Sequence, residues 1–223
     1  MRVLVTRPLE DASEIAAALK ARGHAAVIAP LMSIAFDDET PLFLDGVQAI
    51  IATSANGVRA LARRTSLRDL AVFAVGPQTA AEAHKLGFAD VKNADGDSDA
   101  LVAAIPGWAS KTGGPLLHAT GRDGAGRVAA DLQAQGFDVR TAVLYEMVAV
   151  TALPPEARMP VDAVLLFSPR SAEIFARLAT PAFASGLIAG CISQKTADAL
   201  SPLRFREVRI ANRPNQDALL DRL

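Results

Sequence analysis

The residues of this chain whose types could do chemistry sit in a set of short turns and at one tyrosine. The turns read Thr53-Ser54-Ala55-Asn56-Gly57, Gly76-Pro77-Gln78-Thr79, Thr120-Gly121-Arg122-Asp123-Gly124, Ser168-Pro169-Arg170-Ser171 and Ser193-Gln194-Lys195-Thr196. Each follows a short apolar run and precedes an amphipathic one, so each reads as a strand-to-helix turn. In parallel α/β proteins ligands lie beyond the carboxyl ends of the strands. A helix start there offers small hydroxyls, unpaired backbone N–H groups and the positive end of the helix dipole, which together bind carboxylate or phosphate. Taken singly, these residues are ordinary N-caps and first-turn prolines. Facing one cleft together, they suit a ligand that carries many carboxylates. None is a P-loop, and the glycines at 121, 124 and 126 have the wrong spacing for a dinucleotide fingerprint. No nucleotide cofactor is expected.

Tyr145 is the only tyrosine. It lies in residues 141–150, a run rich in β-branched residues that reads as one long strand. A lone tyrosine is commonly a core or interface residue. Placed in a cleft, it is also a weak acid of pKa about 10 that can donate a hydrogen bond to a leaving group. No nucleophile competes with it. Ser168-Pro169 is not the elbow of a hydrolase. Cys191, the only cysteine, falls in an apolar strand and reads as a buried small hydrophobe. His24, His84 and His118 lie far apart and lack metal-ligand spacing. Each reads as a helix-end or strand-edge residue, and no metal is expected.

The composition says what must hold these groups. Of the 223 residues 51% are hydrophobic and only 5% aromatic. The core is therefore Ala, Leu, Val and Ile, as where helices cover a parallel sheet. The net charge is -1 and no basic stripe is visible, so no nucleic-acid partner is expected. The longest apolar run, residues 25–36, contains Pro30 and is too short to span a bilayer. The chain enters its first strand with no signal-peptide pattern, and one cysteine forms no internal disulfide. A cytoplasmic protein without membrane association is expected.

Along the chain, strands are expected at 3–5, 25–36, 49–52, 71–75 and 91–93, with helices at 11–22, 56–64, 79–86 and 99–105. The pattern then restarts, with strands at 116–119, 139–150, 163–167, 187–192 and 208–210 and helices at 127–135, 171–178 and 196–200, and residues 217–223 close the chain. Residue matches support an internal repeat. Leu19-Lys20-Ala21-Arg22-Gly23 matches Leu132-Gln133-Ala134-Gln135-Gly136, and Ser54 matches Ser168. Gln78-Thr79-Ala80 matches Lys195-Thr196-Ala197, and Asp99-Ala100-Leu101 matches Asp217-Ala218-Leu219. The expected fold class is α/β: two flavodoxin-like domains, each a doubly wound parallel sheet, derived from a duplication. The long second strand of each repeat leaves its domain. Residues 29–36 and 143–150 are expected to pair as a two-stranded β connector, with Tyr145 facing a cleft between the domains.

The chain resembles the uroporphyrinogen-III synthase family of tetrapyrrole (heme) biosynthesis. The resemblance spans essentially the whole chain. It is carried by Val5-Thr6-Arg7-Pro8, Ala29-Pro30-Leu31, Ala52-Thr53-Ser54-Ala55-Asn56-Gly57-Val58, Val75-Gly76-Pro77-Gln78-Thr79-Ala80, Leu144-Tyr145-Glu146 and Phe167-Ser168-Pro169-Arg170-Ser171. It implies one discontinuous domain of residues 1–36 plus 151–223 and a second of 37–150. It implies cyclisation of hydroxymethylbilane, a linear tetrapyrrole, to uroporphyrinogen III. Water is lost and ring D inverts through a spiro-type intermediate, without cofactor or metal. Tyr145 is then the proton donor or orienter for the leaving hydroxyl. Thr53, Ser54, Gly76, Thr79, Ser168 and Thr196 bind substrate carboxylates, with Arg7 and Arg122 as weaker candidates. Ser193 belongs to the same set, although Ser193-Gln194 stands where the family has Gly-Pro. The implied partners are the small-molecule substrate and, transiently, the preceding pathway enzyme, for a monomeric protein. The competing reading is a non-enzymatic two-lobed sensor for a polycarboxylate. Such proteins follow a signal peptide or a DNA-binding domain, and the tyrosine in the connector favours the enzyme.

Overall fold

The computed structural model describes residues 1–124 and 126–223. In chain order the elements are β1 (Arg2–Val5), α1 (Leu9–Ala21), β2 (Ala25–Ile28), β3 (Met32–Phe36), β4 (Ala49–Ala52), α2 (Ala55–Arg64), β5 (Ala71–Ala74), α3 (Pro77–Lys85), β6 (Val91–Asn93) and α4 (Ser98–Ala104). They continue with β7 (Leu116–Gly121), α5 (Arg127–Ala134), β8 (Val139–Ala149), β9 (Ala163–Leu166), α6 (Pro169–Leu178), α7 (Pro181–Ser185), β10 (Ile188–Cys191), α8 (Gln194–Asp198), β11 (Glu207–Ile210) and α9 (Gln216–Leu220). The fold is mixed α/β with parallel sheets, and the chain divides into two compact units.

One unit is discontinuous, Met1–Ser33 with Val148–Leu223. Its sheet has the order β11-β10-β9-β1-β2, parallel throughout. Central strand β1 buries Val3, Leu4 and Val5 in succession, because helices cover both faces of a parallel sheet and leave no solvent side. Helix α1 lays Ala12, Ile15 and Leu19 on one face of that sheet, beside Leu219 and Leu220 of α9.

The other unit is Ile34–Met147. The sheet that forms its core has the order β3-β8-β7-β4-β5-β6, with β4 through β8 parallel. Ile50 and Ile51 of β4 point to opposite faces, as strand alternation requires. Ile50 joins Val58, Leu61, Val72, Leu117 and Leu144. Ile51 joins Phe73, Leu101, Leu116, Leu132 and Val139. Helix α2 crosses β7 closely at Gly57, where any Cβ would stand 2.5 Å from the Ala119 carbonyl oxygen. Arg59 of α2 forks onto Glu82 of α3 at 2.9 and 3.1 Å, with side chains only 14% and 12% exposed.

Three sequence expectations need correction. The strand expected over 25–36 is broken into β2 and β3. Pro30 has no N–H for a ladder. Ala29 and Leu31 instead donate to the carbonyls of Val5 and Thr6, at 2.9 and 3.0 Å. The matching strand β8 runs unbroken for 11 residues. The second correction concerns the turn at 120–124. Strand β7 extends through Gly121, a 3-10 turn covers Arg122–Gly124, and α5 starts only at Arg127, with no side-chain cap from Gly126. The third is His118, which lies mid-strand in β7 and fully buried, rather than at a strand edge. Helix α7 was not anticipated. Thr180 caps it by accepting the Phe183 N–H, ahead of a first-turn proline.

Candidate functional site

A concavity of the Ile34–Met147 unit begins at the end of β4. Ser54 has the extended backbone of an N-cap, and its Oγ accepts the Gly57 N–H at 3.1 Å. That one bond starts α2 and fixes where the Ser54 oxygen points. Tyr145 reaches the same oxygen from β8, with its hydroxyl 2.8 Å from Ser54 Oγ. The approach depends on an irregularity in the sheet. The register of β7 with β8 shifts between Thr120 and Gly121, so that Gly121 stands opposite Tyr145. The phenol ring lies directly against Gly121, where a Cβ would come within 2.6 Å of Tyr145 Cζ.

The phenol keeps its proton at neutral pH. Burial pushes its pKa above the ordinary tyrosine value, and the negative charge of Asp123 adds to this. Hydrogen bonding from Ser54 and from the Gly121 backbone pulls the other way without cancelling the rise. With Ser54 as the donor of its 2.8 Å bond, the phenol's own hydrogen is left for a further partner.

Tyr145 and Ser54 help line a pocket of about 430 Å³, completed by Thr53, Ser98, Thr120, Asp123, Gly124, Gly126, Arg127 and Val128. Ser98 opens α4, whose cap Asp97 accepts the N–H groups of Asp99 and Ala100 at 3.0 Å each. Those bonds hold the Asp97 carboxyl below the ordinary range. Arg127 opens α5 and is paired with Asp99 and, at 3.7 Å, with Asp131. Thr120 Oγ1 donates to the Gly121 carbonyl at 3.2 Å. His118 lies behind Thr53, with Nε2 3.4 Å from Thr53 Oγ1. Burial lowers the His118 pKa to about 4, so the ring is neutral at physiological pH. The pocket thus presents hydroxyls, one protonated phenol, the Asp123 carboxylate and a guanidinium already paired with Asp99 and Asp131, a polar set that can orient a ligand by hydrogen bonds.

A family model described as "Uroporphyrinogen-III synthase HemD" matches residues 13–221. The chain belongs to the uroporphyrinogen-III synthase family. It is accordingly a cyclising lyase of tetrapyrrole biosynthesis, with a tetrapyrrole as substrate. A search of curated proteins gave no match. The structure is similar to that of uroporphyrinogen-III synthetase from Helicobacter pylori, with TM-score 0.67, 19% identity, and coverage of 99% of this chain and 97% of that one. It is also similar to a mutant uroporphyrinogen III synthase from Thermus thermophilus, with TM-score 0.53, 18% identity, and coverage of 99% and 96%. At these identities the likeness concerns the fold.

Within this synthase-family fold, the residues expected from sequence fall in four groups. Thr53, Ser54 and Tyr145 meet at the pocket. Gly76 and Thr79 stand at the start of α3 in the same unit, Thr79 buried, and neither borders the pocket. Arg122 is exposed beside it and bonds Glu146 at 2.9 Å. The other four belong to the discontinuous unit. Arg7 pairs with Asp11 and lies over the Phe167 ring, 5.3 Å from its centroid. Ser168 and Ser171 form a capping box at α6. Ser193 accepts the Thr196 N–H at 3.3 Å and its hydroxyl contacts that of Thr196 at 3.0 Å.

Sequence reading missed Ser98, Asp123 and Arg127 as pocket residues. The acidic cap Asp97 before an apolar run signalled the helix start at Ser98, but nothing local said that α4 and α5 begin side by side. Among the described residues no group of three or more His, Cys, Asp or Glu side chains is placed to hold a metal ion, and no helix is long and apolar enough to cross a membrane. Cys191 is buried, with its thiol pushed up to about 12.

Proposed function

We propose that the pocket at Tyr145 is where this family member converts hydroxymethylbilane to uroporphyrinogen III, with loss of water and inversion of ring D. The observation that carries this is the Tyr145 hydroxyl. It is protonated, held by Ser54 at 2.8 Å, and set in the wall of a pocket of hydroxyls, one guanidinium and one carboxylate. As the C–O bond of the hydroxymethyl group breaks, the electron-rich pyrrole pushes the oxygen out and Tyr145 hydrogen-bonds or protonates it as it becomes water. The substituted carbon of ring D attacks the resulting cation to give the spiro-type intermediate. That carbon's old bond to the bridge carbon then breaks to leave a second cation at that bridge, and the free α-carbon of ring D attacks it. The carbon that finally closes the macrocycle releases its hydrogen as a proton, which replaces the one used. Acid help of this kind is mild. The larger task is to hold the chain so that the less accessible carbon attacks, which is catalysis by positioning.

Carboxylate arms of the substrate are assigned to Thr53 and Ser54 in the pocket and to Gly76 and Thr79 at α3, with Arg122 beside them. Arg7, Ser168, Ser193 and Thr196 are the corresponding candidates of the discontinuous unit. The proposal includes the duplication. Against the repeats, the sheet of the discontinuous unit has the order second, first, third, fourth, fifth, with two strands from the first repeat and three from the second. The other sheet has the same order with two from the second repeat and three from the first, extended at its edge by β3. That shared order supports two flavodoxin-like domains that exchanged strands, 1–36 plus 151–223 and 37–150, with 29–36 and 143–150 as their connector. It includes a cytoplasmic monomer that works without cofactor. Family membership disfavours the sensor reading.

The test is isomer analysis. Purified protein is supplied with hydroxymethylbilane, and the oxidised uroporphyrin products are separated. Type III product over a protein-free control that gives type I is the expected result. Type I in both would reject the proposal.

A further inference from the structure

The hydroxyls of the pocket differ in where their hydrogens go. Thr120 spends its hydrogen on the Gly121 carbonyl at 3.2 Å. Ser54 and Tyr145 have one hydrogen between their two oxygens, which either can donate, and the Ser54 oxygen also accepts the Gly57 N–H. Thr53 remains. Its Oγ1 lies 3.4 Å from Nε2 of His118, and the direction of that contact decides whether Thr53 meets a ligand as donor or acceptor.

His118 is 0% exposed, between Ile51 of β4 and Thr141 of β8 in the centre of the sheet. Its Nδ1 has no hydrogen-bond partner among the described residues. The imidazole is neutral, so it carries one N–H. With the hydrogen on Nδ1, a buried donor would be left unpaired while Nε2 accepted from Thr53. With the hydrogen on Nε2, the donor is used and only an acceptor lone pair is orphaned. Unpaired buried N–H groups are the rarer of the two in folded proteins. The Nε2–H form also uses the one polar neighbour within reach.

We propose that His118 is a positioning residue whose Nε2–H donates to Thr53 Oγ1, so that the Thr53 hydrogen is directed into the pocket as a donor to a carboxylate oxygen. This deepens the preceding reading and rests on it for the identity of the ligand. The role differs from that of Tyr145. His118 touches no ligand, and it sets the polarity of a hydroxyl that does.

The tautomer is read without substrate. Long-range ¹H–¹⁵N correlation spectra of the uniformly labelled protein distinguish protonated from unprotonated ring nitrogens, and the His118 signals are those lost in His118→Gln. Protonated Nε2 with bare Nδ1 is expected, and protonated Nδ1 overturns the proposal, whichever isomer the protein makes. Kinetics on folded variants supply the second arm. His118→Met, of similar volume and without a donor, is expected to raise KM roughly tenfold with little change in kcat, the loss of one bond to a charged group. His118→Gln places an amide N–H near the Nε2 position and is expected to recover most of that loss. Thr53→Val is expected to match His118→Met, and the double variant to be no worse than either. Additive losses, or a Gln variant no better than Met, would mean that His118 serves packing alone.

Discussion

Ser54 Oγ stands 2.8 Å from the Tyr145 hydroxyl and 3.1 Å from the Gly57 nitrogen, so one serine oxygen joins the start of a helix to the phenol of the site. The link makes the position of Tyr145 a property of the scaffold. The helix cannot begin elsewhere without moving the group that the phenol leans on.

Tyr145→Phe keeps the ring and removes only the hydroxyl. Turnover is expected to fall on the order of 100-fold, the lower end of what general acids contribute, while KM changes little. Steady-state rates of hydroxymethylbilane consumption check this, and a variant with wild-type kcat would remove Tyr145 from the chemistry.

Gly121→Ala tests the same group from the opposite side. The added Cβ would fall 2.6 Å from Tyr145 Cζ, and neither the strand nor the ring can yield cheaply. A loss of about 1–3 kcal/mol in stability is expected from the overpacking, together with a loss of turnover comparable to that of Tyr145→Phe. Tyr145 is the only tyrosine beside one tryptophan, Trp108, so near-ultraviolet dichroism read as a difference against Tyr145→Phe reports whether its ring has moved.

His118 gives the stability a pH dependence. Burial lowers its pKa from 6.5 to about 4, so the unfolded chain binds a proton that the folded chain refuses between those values. Stability from this group is complete above about pH 6.5 and drains away as the pH falls towards 4. The full difference is about 3 kcal/mol. Urea unfolding at pH 7.5 and pH 4.5 measures it, and His118→Met is expected to show a clearly smaller difference than the parent protein.

The Arg59–Glu82 pair binds α2, the helix that Ser54 caps, to α3. Both side chains are almost out of solvent, so deleting Glu82 removes two charge-assisted bonds from a largely buried guanidinium, which keeps its bond to Asn56. Glu82→Ala is expected to cost about 3 kcal/mol in denaturant unfolding, and replacing both residues with apolar side chains to recover much of it. A cost near zero for the single change would mean that water reaches the pair.

Much of the fold was legible because its signals are local. Runs such as residues 49–52 and 163–167, followed by Ser54 and Ser168, announce a buried strand and a capped helix in a few residues. Tyr145 was legible because it is unique. The break at Pro30 was written in the residue itself, yet hydrophobicity continues across it, and pattern reading follows hydrophobicity. The pocket was half visible. Thr53 and Ser54 lie at a strand end, where ligands are expected, but Ser98 and Arg127 meet only through the packing of α4 beside α5. The register shift at Thr120 and Gly121 leaves no trace in composition, and it is what brings the phenol to the serine. His118 could not be read at all, since one histidine in an apolar strand looks the same whether it faces a core or a cavity.

The discontinuous unit has a consequence for how the protein is made. Strand β1 finds one neighbour at once in β2, but its other neighbour, β9, is synthesised roughly 160 residues later, a delay on the order of 10–30 s at ordinary translation rates. The Ile34–Met147 unit has nearly all the strands of its sheet in one continuous piece and is complete well before that. Val3, Leu4, Val5 and Ile15 must therefore wait, apolar and half covered, while the inserted unit folds ahead of them. A nascent chain stalled between residues 150 and 163 would carry one finished unit and one exposed sticky edge, which is the kind of surface that chaperones hold.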